Sequence, residues 1–149
     1  MTVIVFEVYG TPAPQGSKRH VGGGRMVESS KLVPAWREAV KQAALTALAD
    51  RDIAYGENGD AVRVDVIFFM ARPKSHYRTG ANSHLLRGNA PNWPAGKPDL
   101  DKLVRSTLDA LTDAGVWRDD SQVVVIHAEK SYSALRAPGA CVYVNEAAP

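Results

Sequence analysis

Lys97-Pro98-Asp99-Leu100-Asp101-Lys102 opens the most informative stretch of the chain, and Gly115-Val116-Trp117-Arg118-Asp119-Asp120-Ser121-Gln122 closes it. Between them Leu100, Leu103, Val104, Thr107, Leu108, Leu111 and Ala114 recur at helical spacing. Pro98 precedes the pattern, Asp99 is placed to cap it and Gly115 to end it, so it predicts a helix over 99–114. Residues 122–130, Gln-Val-Val-Val-Ile-His-Ala-Glu-Lys, follow as a strand expected to be buried on both faces.

Upstream, residues 71–98 show no usable periodicity and are broken by three prolines before Pro98 and repeated glycines. A loop this long inside a compact domain is usually functional or mobile. It holds Arg72, Lys74, Arg78, Arg87 and Lys97 and no acid, a formal charge of +5. Tyr77 and Trp93 stand among these cations as aromatics able to stack on bases. His76 and His84 read as solvated loop histidines, because no third ligand accompanies them. Residues 61–70 alternate, with Val62, Val64, Val66, Phe68 and Met70 on one face, and predict a strand on which Asp65 is exposed.

Residues 34–49 predict a second helix, with Pro34 in its first turn, Ser29 or Ser30 just upstream, and Trp36, Ala39, Val40, Ala43, Ala44, Ala47 and Leu48 on its buried side. A polar, turn-rich connection over 50–60 joins it to the strand. Residues 10–33 contain Gly22-Gly23-Gly24 between two short β-like pieces, which suggests a hairpin, and carry Lys18, Arg19, Arg25 and Lys31 against Glu28. That segment is either a basic arm for phosphates or a solvated loop. Residues 2–9 and 140–144 predict the first and last strands. The whole is expected to be one domain over 1–149. Its class is α/β or α+β, a mixed sheet of about four main strands with two helices packed on it.

The bulk composition sets limits. Hydrophobic residues are 45% and charged residues 23%, as in ordinary globular proteins, and a net charge of +2 gives no global nucleic-acid signal. Any such case rests on the local charge of residues 71–98. Cys141 is the only cysteine, which excludes an intrachain disulfide and a cysteine-based metal site. The N-terminus lacks the charged region of a signal peptide, and no run of 18 apolar residues occurs, so a cytoplasmic protein without a membrane span is expected.

The carboxylates suggest chemistry. Mg²⁺ takes oxygen ligands and keeps several waters, so two or three carboxylates beside substrate phosphates can hold it. Residues two apart point the same way only in extended backbone, so Asp99 and Asp101 converge only if Asp99 stays outside the helix, as an N-cap residue does. Asp120 joins them if residues 115–120 run back along the helix. Six extended residues reach about 20 Å, against about 22 Å of helix. The plainer reading of each acid alone is a cap, a first-turn acid and a turn.

Asp99-Leu100-Asp101, a helix ending in Asp109-Ala110-Leu111-Thr112-Asp113-Ala114-Gly115-Val116-Trp117, and Asp119-Asp120-Ser121-Gln122-Val123 resemble the RusA family of Holliday junction resolvases. Gly10-Thr11-Pro12, Lys18-Arg19, the glycine triplet and Trp36-Arg37-Glu38-Ala39-Val40 are similar to the family's opening. The resemblance covers roughly residues 4–130. It implies a small homodimeric, Mg²⁺-dependent endodeoxyribonuclease of recombination and repair, often of phage or prophage origin. Such an enzyme nicks two strands of a four-way DNA junction symmetrically, and Mn²⁺ is expected to substitute for Mg²⁺.

By the same resemblance, Asp99, Asp101 and Asp120 of one protomer are the essential metal-binding acids, and Asp119 assists. Arg105 takes the position of a catalytic lysine; it can clamp a phosphate but does not readily lose a proton. Lys18, Arg19, Arg25, Arg72, Lys74, Arg78, Arg87, Lys97, Lys102 and Lys130 are the expected DNA contacts. The arginine at the lysine position leaves open a junction-binding protein that has lost catalysis. A less selective metal-dependent nuclease on branched DNA also stays open.

Overall fold

The structure is a computed structural model. It describes residues 3–16, 18–20, 26–28, 31–49, 55, 59–134 and 136–149, with the backbone alone at 18–20 and 26–28. The strands are β1 (Val3–Tyr9), β2 (Lys18–His20), β3 (Met26–Glu28), β4 (Val62–Met70), β5 (Val123–Tyr132) and β6 (Gly139–Glu146). The helices are α1 (Val33–Leu48) and α2 (Leu100–Asp113).

Four strands form one mixed sheet in the order β1-β6-β4-β5. β6 runs antiparallel to both neighbours, and β5 runs parallel to β4. The fold is therefore α+β, as the sequence pattern leads one to expect. β2 and β3 make a separate antiparallel hairpin, with Lys18 opposite Glu28. The glycine triplet expected at its turn lies outside the described residues, as do Ser29, Ser30 and Arg25.

Alternation along the strands decides which face is covered. Ile4, Phe6 and Val8 of β1, Val62, Val64, Val66 and Phe68 of β4, and Ala140, Val142 and Val144 of β6 form one buried layer. Trp36, Val40 and Ala44 of α1 and Leu103, Ala110 and Leu111 of α2 cover it. Small residues on α1 let the helices approach, and Trp36 Nε1 donates to Thr107 Oγ1 across them (3.2 Å). The buried stripe of α2 is turned slightly from the expected one. Ser106 lies fully inside, donating to Ala13 O (2.6 Å), while Leu100, Val104 and Leu108 are only half-buried.

One expectation fails at the sheet's edge. β5 is not buried on both faces: among the described residues it pairs with β4 alone, and Val124 and Ile126 are 60% and 41% exposed. An unbroken apolar run looks the same in a central strand and in an edge strand with a covered flank. Residues 71–98 also differ from a featureless loop. Lys74–His76 and Gly80–Asn82 form single 3₁₀ turns, and Tyr77 bridges Leu86.

Candidate functional site

The loop 71–98 ends where α2 begins. Lys130, near the end of β5, donates through Nζ to Gly96 O (2.7 Å) and Pro98 O (2.8 Å). Because Lys130 lies opposite Phe68 in the sheet, it points to the helix-covered side. It thus ties the loop's last turn to β5 and fixes where Asp99 emerges.

Asp99 is the N-cap residue of α2, with φ −69° and ψ 136°. That extended backbone is the condition for its side chain to lie alongside that of Asp101. Its carboxylate makes no capping bond to the helix; Lys102 Nζ stands 3.4 Å away. The plain capping explanation of Asp99 therefore fails. Asp101 is exposed in the first turn, where the helix dipole stabilises negative charge.

Arg105 is one turn beyond Asp101 on the same face of α2. A Cβ on Gly16 would come within 3.0 Å of Arg105 Nη1, and Gly16 itself has φ +105°. Glycine here lets the backbone pass directly over the guanidinium. The same segment is bound to α2 through Gln15 N to Lys102 O (3.1 Å) and Gln15 Nε2 to Asp109 Oδ2 (2.5 Å). Lys18 and Arg19 follow Gly16 by two and three positions along the chain. The packing role of Gln15 was not legible from sequence: a glutamine in a proline-rich loop has no periodicity to mark it.

The other end of α2 is built differently. Val116 N donates to Leu111 O (3.1 Å) and Gly115 N to Thr112 O (3.0 Å), a Schellman ending with Gly115 at φ +82°. Val116 and Trp117 are buried, Trp117 bridges Tyr55, and its Nε1 donates to Thr112 Oγ1 (2.8 Å). Asp119 then forms a capping box with Gln122: Ser121 N donates to its Oδ1 (2.8 Å), and Gln122 Oε1 accepts from Asp119 N (3.0 Å). Hydrogen bonds from the Ser121 side chain and backbone hold the Asp119 carboxyl below the usual range. Asp119 is thus occupied in the turn, and Asp120 next to it is exposed in the same turn.

This geometry corrects one expectation. Residues 115–120 do not run back along α2; the Schellman turn and the Trp117 bridge fix them at the helix's C-terminal end. α2 has fourteen residues and so spans about 21 Å at 1.5 Å per residue. Asp99 and Asp101 lie beside Lys130, at one end of β5. Asp120 lies at the other, where Gln122 Nε2 donates to Asp60 O (3.2 Å). One protomer therefore does not bring Asp120 to Asp99 and Asp101. Among the described residues no three His, Cys, Asp or Glu side chains are grouped to hold a metal ion.

The sequence profile of the endodeoxyribonuclease RusA family matches residues 8–145. The chain belongs to the RusA family. None of the curated proteins compared matches it significantly. Membership in RusA implies endodeoxyribonuclease activity on Holliday junctions.

The cations expected to serve this family activity divide into two kinds. Arg72 lies 4.1 Å over the Tyr132 ring and donates to Pro91 O (2.7 Å), while His76 meets Tyr132 edge-on. Arg78 Nε donates to Leu86 O (3.1 Å) and Arg87 Nε to Tyr77 O (2.8 Å). These arginines brace the loop from within, as Lys130 braces its end. Lys74 and Lys97 are exposed. Lys74, Tyr77, Arg78 and Arg87 line a cavity of about 580 Å³ on the loop with no acid in its wall. The side chains of Lys18 and Arg19, and all of Arg25, lie outside the described residues.

Asp65 keeps company the sequence did not announce. Arg63 donates to both its oxygens (2.8 and 2.9 Å), and this pairing holds the Asp65 carboxyl below its usual range. His127 Nδ1 stands 3.3 Å from it. The cluster lies on the open face of the sheet, far from the acids of α2. Among the described residues, no helix is long and apolar enough to cross a membrane.

Proposed function

We propose that this protein resolves four-way DNA junctions by paired, symmetric, Mg²⁺-dependent nicks, acting as a homodimer in recombination and repair. One observation carries the reading within the RusA family. Asp99 is an N-cap residue whose carboxylate caps nothing, placed two residues from the exposed Asp101 at the mouth of a loop of charge +5. Asp99 and Asp101 are the residues on which Mg²⁺ would sit, with Mn²⁺ able to replace it; bound there, the ion supplies positive charge at a scissile phosphate. Arg105, one turn along, holds a phosphate without exchanging a proton. The exposed lysines and the free nitrogens of Arg78 and Arg87 add salt-dependent affinity for the arms. Two sites related by a two-fold axis match the symmetry of the junction.

The test is Asp101→Asn assayed on a synthetic four-way junction. Nicking in Mg²⁺ should fall by roughly 10²–10⁴-fold, the equivalent of several kcal/mol of lost charge stabilisation. Junction binding should persist. Cleavage at the wild-type rate would remove Asp101 from the site. A second reading draws on the separation of the three acids within one protomer: a junction-binding protein without catalysis. It predicts wild-type protein that retards junctions on a gel and nicks none with Mg²⁺ or Mn²⁺.

A further inference from the structure

The hydrogen-bonded part of loop 71–98 encloses a cavity separate from the acids. We propose that this cavity receives one nucleotide lifted out of the helical stack at the branch point of a four-way junction, its base lying against Tyr77. The identity of the DNA rests on the nuclease reading above; the pocket rests on its own features.

The first feature is construction. Residues 76–78 and 85–87 lie side by side: Arg87 N donates to His76 O (2.8 Å), Arg78 N donates to Leu85 O (2.8 Å), and Tyr77 bridges Leu86. Gly80, at φ +66°, begins the turn between them. Ser83 N and Leu85 N close that turn on Gly80 O (3.2 Å) and Asn82 O (2.9 Å). The cavity of about 580 Å³ is thus framed by the loop's own backbone. Its size lies within the roughly 300–1,000 Å³ of small-ligand sites.

The second feature is the wall. Tyr77 is half-buried, and among the described residues its ring stacks on no other and its hydroxyl has no partner. The hydroxyls of Ser75, Thr79 and Ser83 are equally without partners in the chain. Arg78 and Arg87 engage loop carbonyls through Nε and leave their terminal nitrogens free. An aromatic face, hydroxyls that donate and accept, and guanidinium forks match the base face, base edge and phosphate of a nucleotide. No acid lines the wall to repel that phosphate. The cavity of about 510 Å³ on the open sheet face lacks this match, because Asp65 stands in it and holds Arg63 through both carboxylate oxygens.

The third feature is place. Arg72 lies over the Tyr132 ring and His76 meets its edge, while Lys130 holds Gly96 and Pro98. Lys130 and Tyr132 lie opposite Phe68 and Met70, so both point to the helix-covered side of β5. Tyr77 follows His76 directly, and Asp99 follows Pro98. The same end of β5 therefore positions the cavity and the two acids. Lifting a base is least costly where stacking is already broken, as at a branch point. Leu85 and Leu86, 41% and 42% exposed beside Arg87, are apolar wedges for the space that the base leaves.

The experiment is photocrosslinking of wild-type protein, without divalent metal, to synthetic four-way junctions. Each junction carries a single 5-iodouracil, either at a branch-point position or in the middle of an arm. Irradiation joins iodouracil to an aromatic ring stacked on it, and peptide mass spectrometry locates the adduct. An adduct on Tyr77 is expected from the branch point and none from the arms. Equal adducts from both, or none on Tyr77, overturn the pocket. Binding gives a second measure. Tyr77→Ala should weaken junction affinity roughly 5–150-fold, the worth of one stacked base. Affinity for unbranched duplex and the salt slope should stay as in wild type, since a stacked ring releases no counterion. Tyr77→Phe should restore junction affinity. Equal losses on junction and duplex overturn the proposal. Deoxyadenosine monophosphate that binds the cavity, beside Tyr77→Ala protein that holds junctions as wild type does, also overturns it and assigns the site to free nucleotides. Protein that crosslinks through Tyr77 and never nicks with Mg²⁺ or Mn²⁺ upholds the pocket and overturns the nuclease reading. Protein that nicks junctions and gives no Tyr77 adduct does the reverse.

Discussion

The two ends of α2 carry similar letters and use them differently. At the C-terminal end, Asp119 closes a capping box, Gly115 makes the Schellman turn, and Val116 and Trp117 fill the core. At the N-terminal end, Asp99 occupies the cap position without capping, and Asp101 beside it is exposed. Stability at the first end depends on side chains; at the second it depends on Lys130 and the loop carbonyls. An acid at a helix terminus is thus informative only once its hydrogen bonds are known. Occupied, it is architecture; unoccupied, it is available for a ligand.

The sharpest way to break this contrast is to exchange the expected costs. Trp117 is 2% exposed and donates from its indole, and Trp117→Ala should destabilise the fold by about 3–5 kcal/mol. Asp101→Asn should change stability by no more than about 0.5 kcal/mol, as for an ordinary surface position. Urea unfolding of both variants measures the difference. Comparable losses would mean that Asp101 has a structural task and that the two ends are alike.

A smaller effect is expected at Lys130. Lys130→Gln loses two charge-assisted bonds to Gly96 and Pro98 carbonyls and should cost about 1–2 kcal/mol, less than a fully buried pair because the site is partly wet. Junction nicking should fall with it, since Asp99 loses its anchor. Salt titration of junction binding separates this positioning role from a phosphate contact. The slope of log affinity against log salt should stay as in wild type; a contact to DNA would reduce it by about 1.

Much of the fold was legible because periodicity is a local property. Alternation marked β4, and the apolar spacing of α1 and α2 marked both helices, with boundaries near those observed. The extended backbone of the N-cap was legible too, since Asp99 can lie alongside Asp101 only from outside the helix. The path after Gly115 was not. Chain length allowed residues 115–120 to return along α2, and nothing in their letters says that Trp117 bridges Tyr55 instead, a partner sixty-two residues away. The exposure of β5 was hidden for a related reason. Val124 and Ile126 are apolar, and apolarity by itself does not tell a buried strand position from an exposed one. The roles of Lys130, Arg78 and Arg87 were missed because a cation bound to carbonyls and a cation waiting for phosphate are the same letter.

The smallest effect comes from Asp119, and it tests the architectural side of the contrast by pH. Its folded pKa is depressed by the bonds from Ser121. A carboxylate of this kind adds stability that is present above the unfolded value, near 3.9, and is lost as pH falls through the lower folded value. Urea midpoints of wild type and Asp119→Ala should therefore differ by a constant amount from pH 7 to about pH 5 and converge below pH 4. The gap should be smaller than that of Lys130→Gln, because the carboxylate is fully in solvent. A gap that grows on adding Mn²⁺ at neutral pH would show that Asp119 reaches a metal as well as its turn, and would move it from the occupied acids to the available ones.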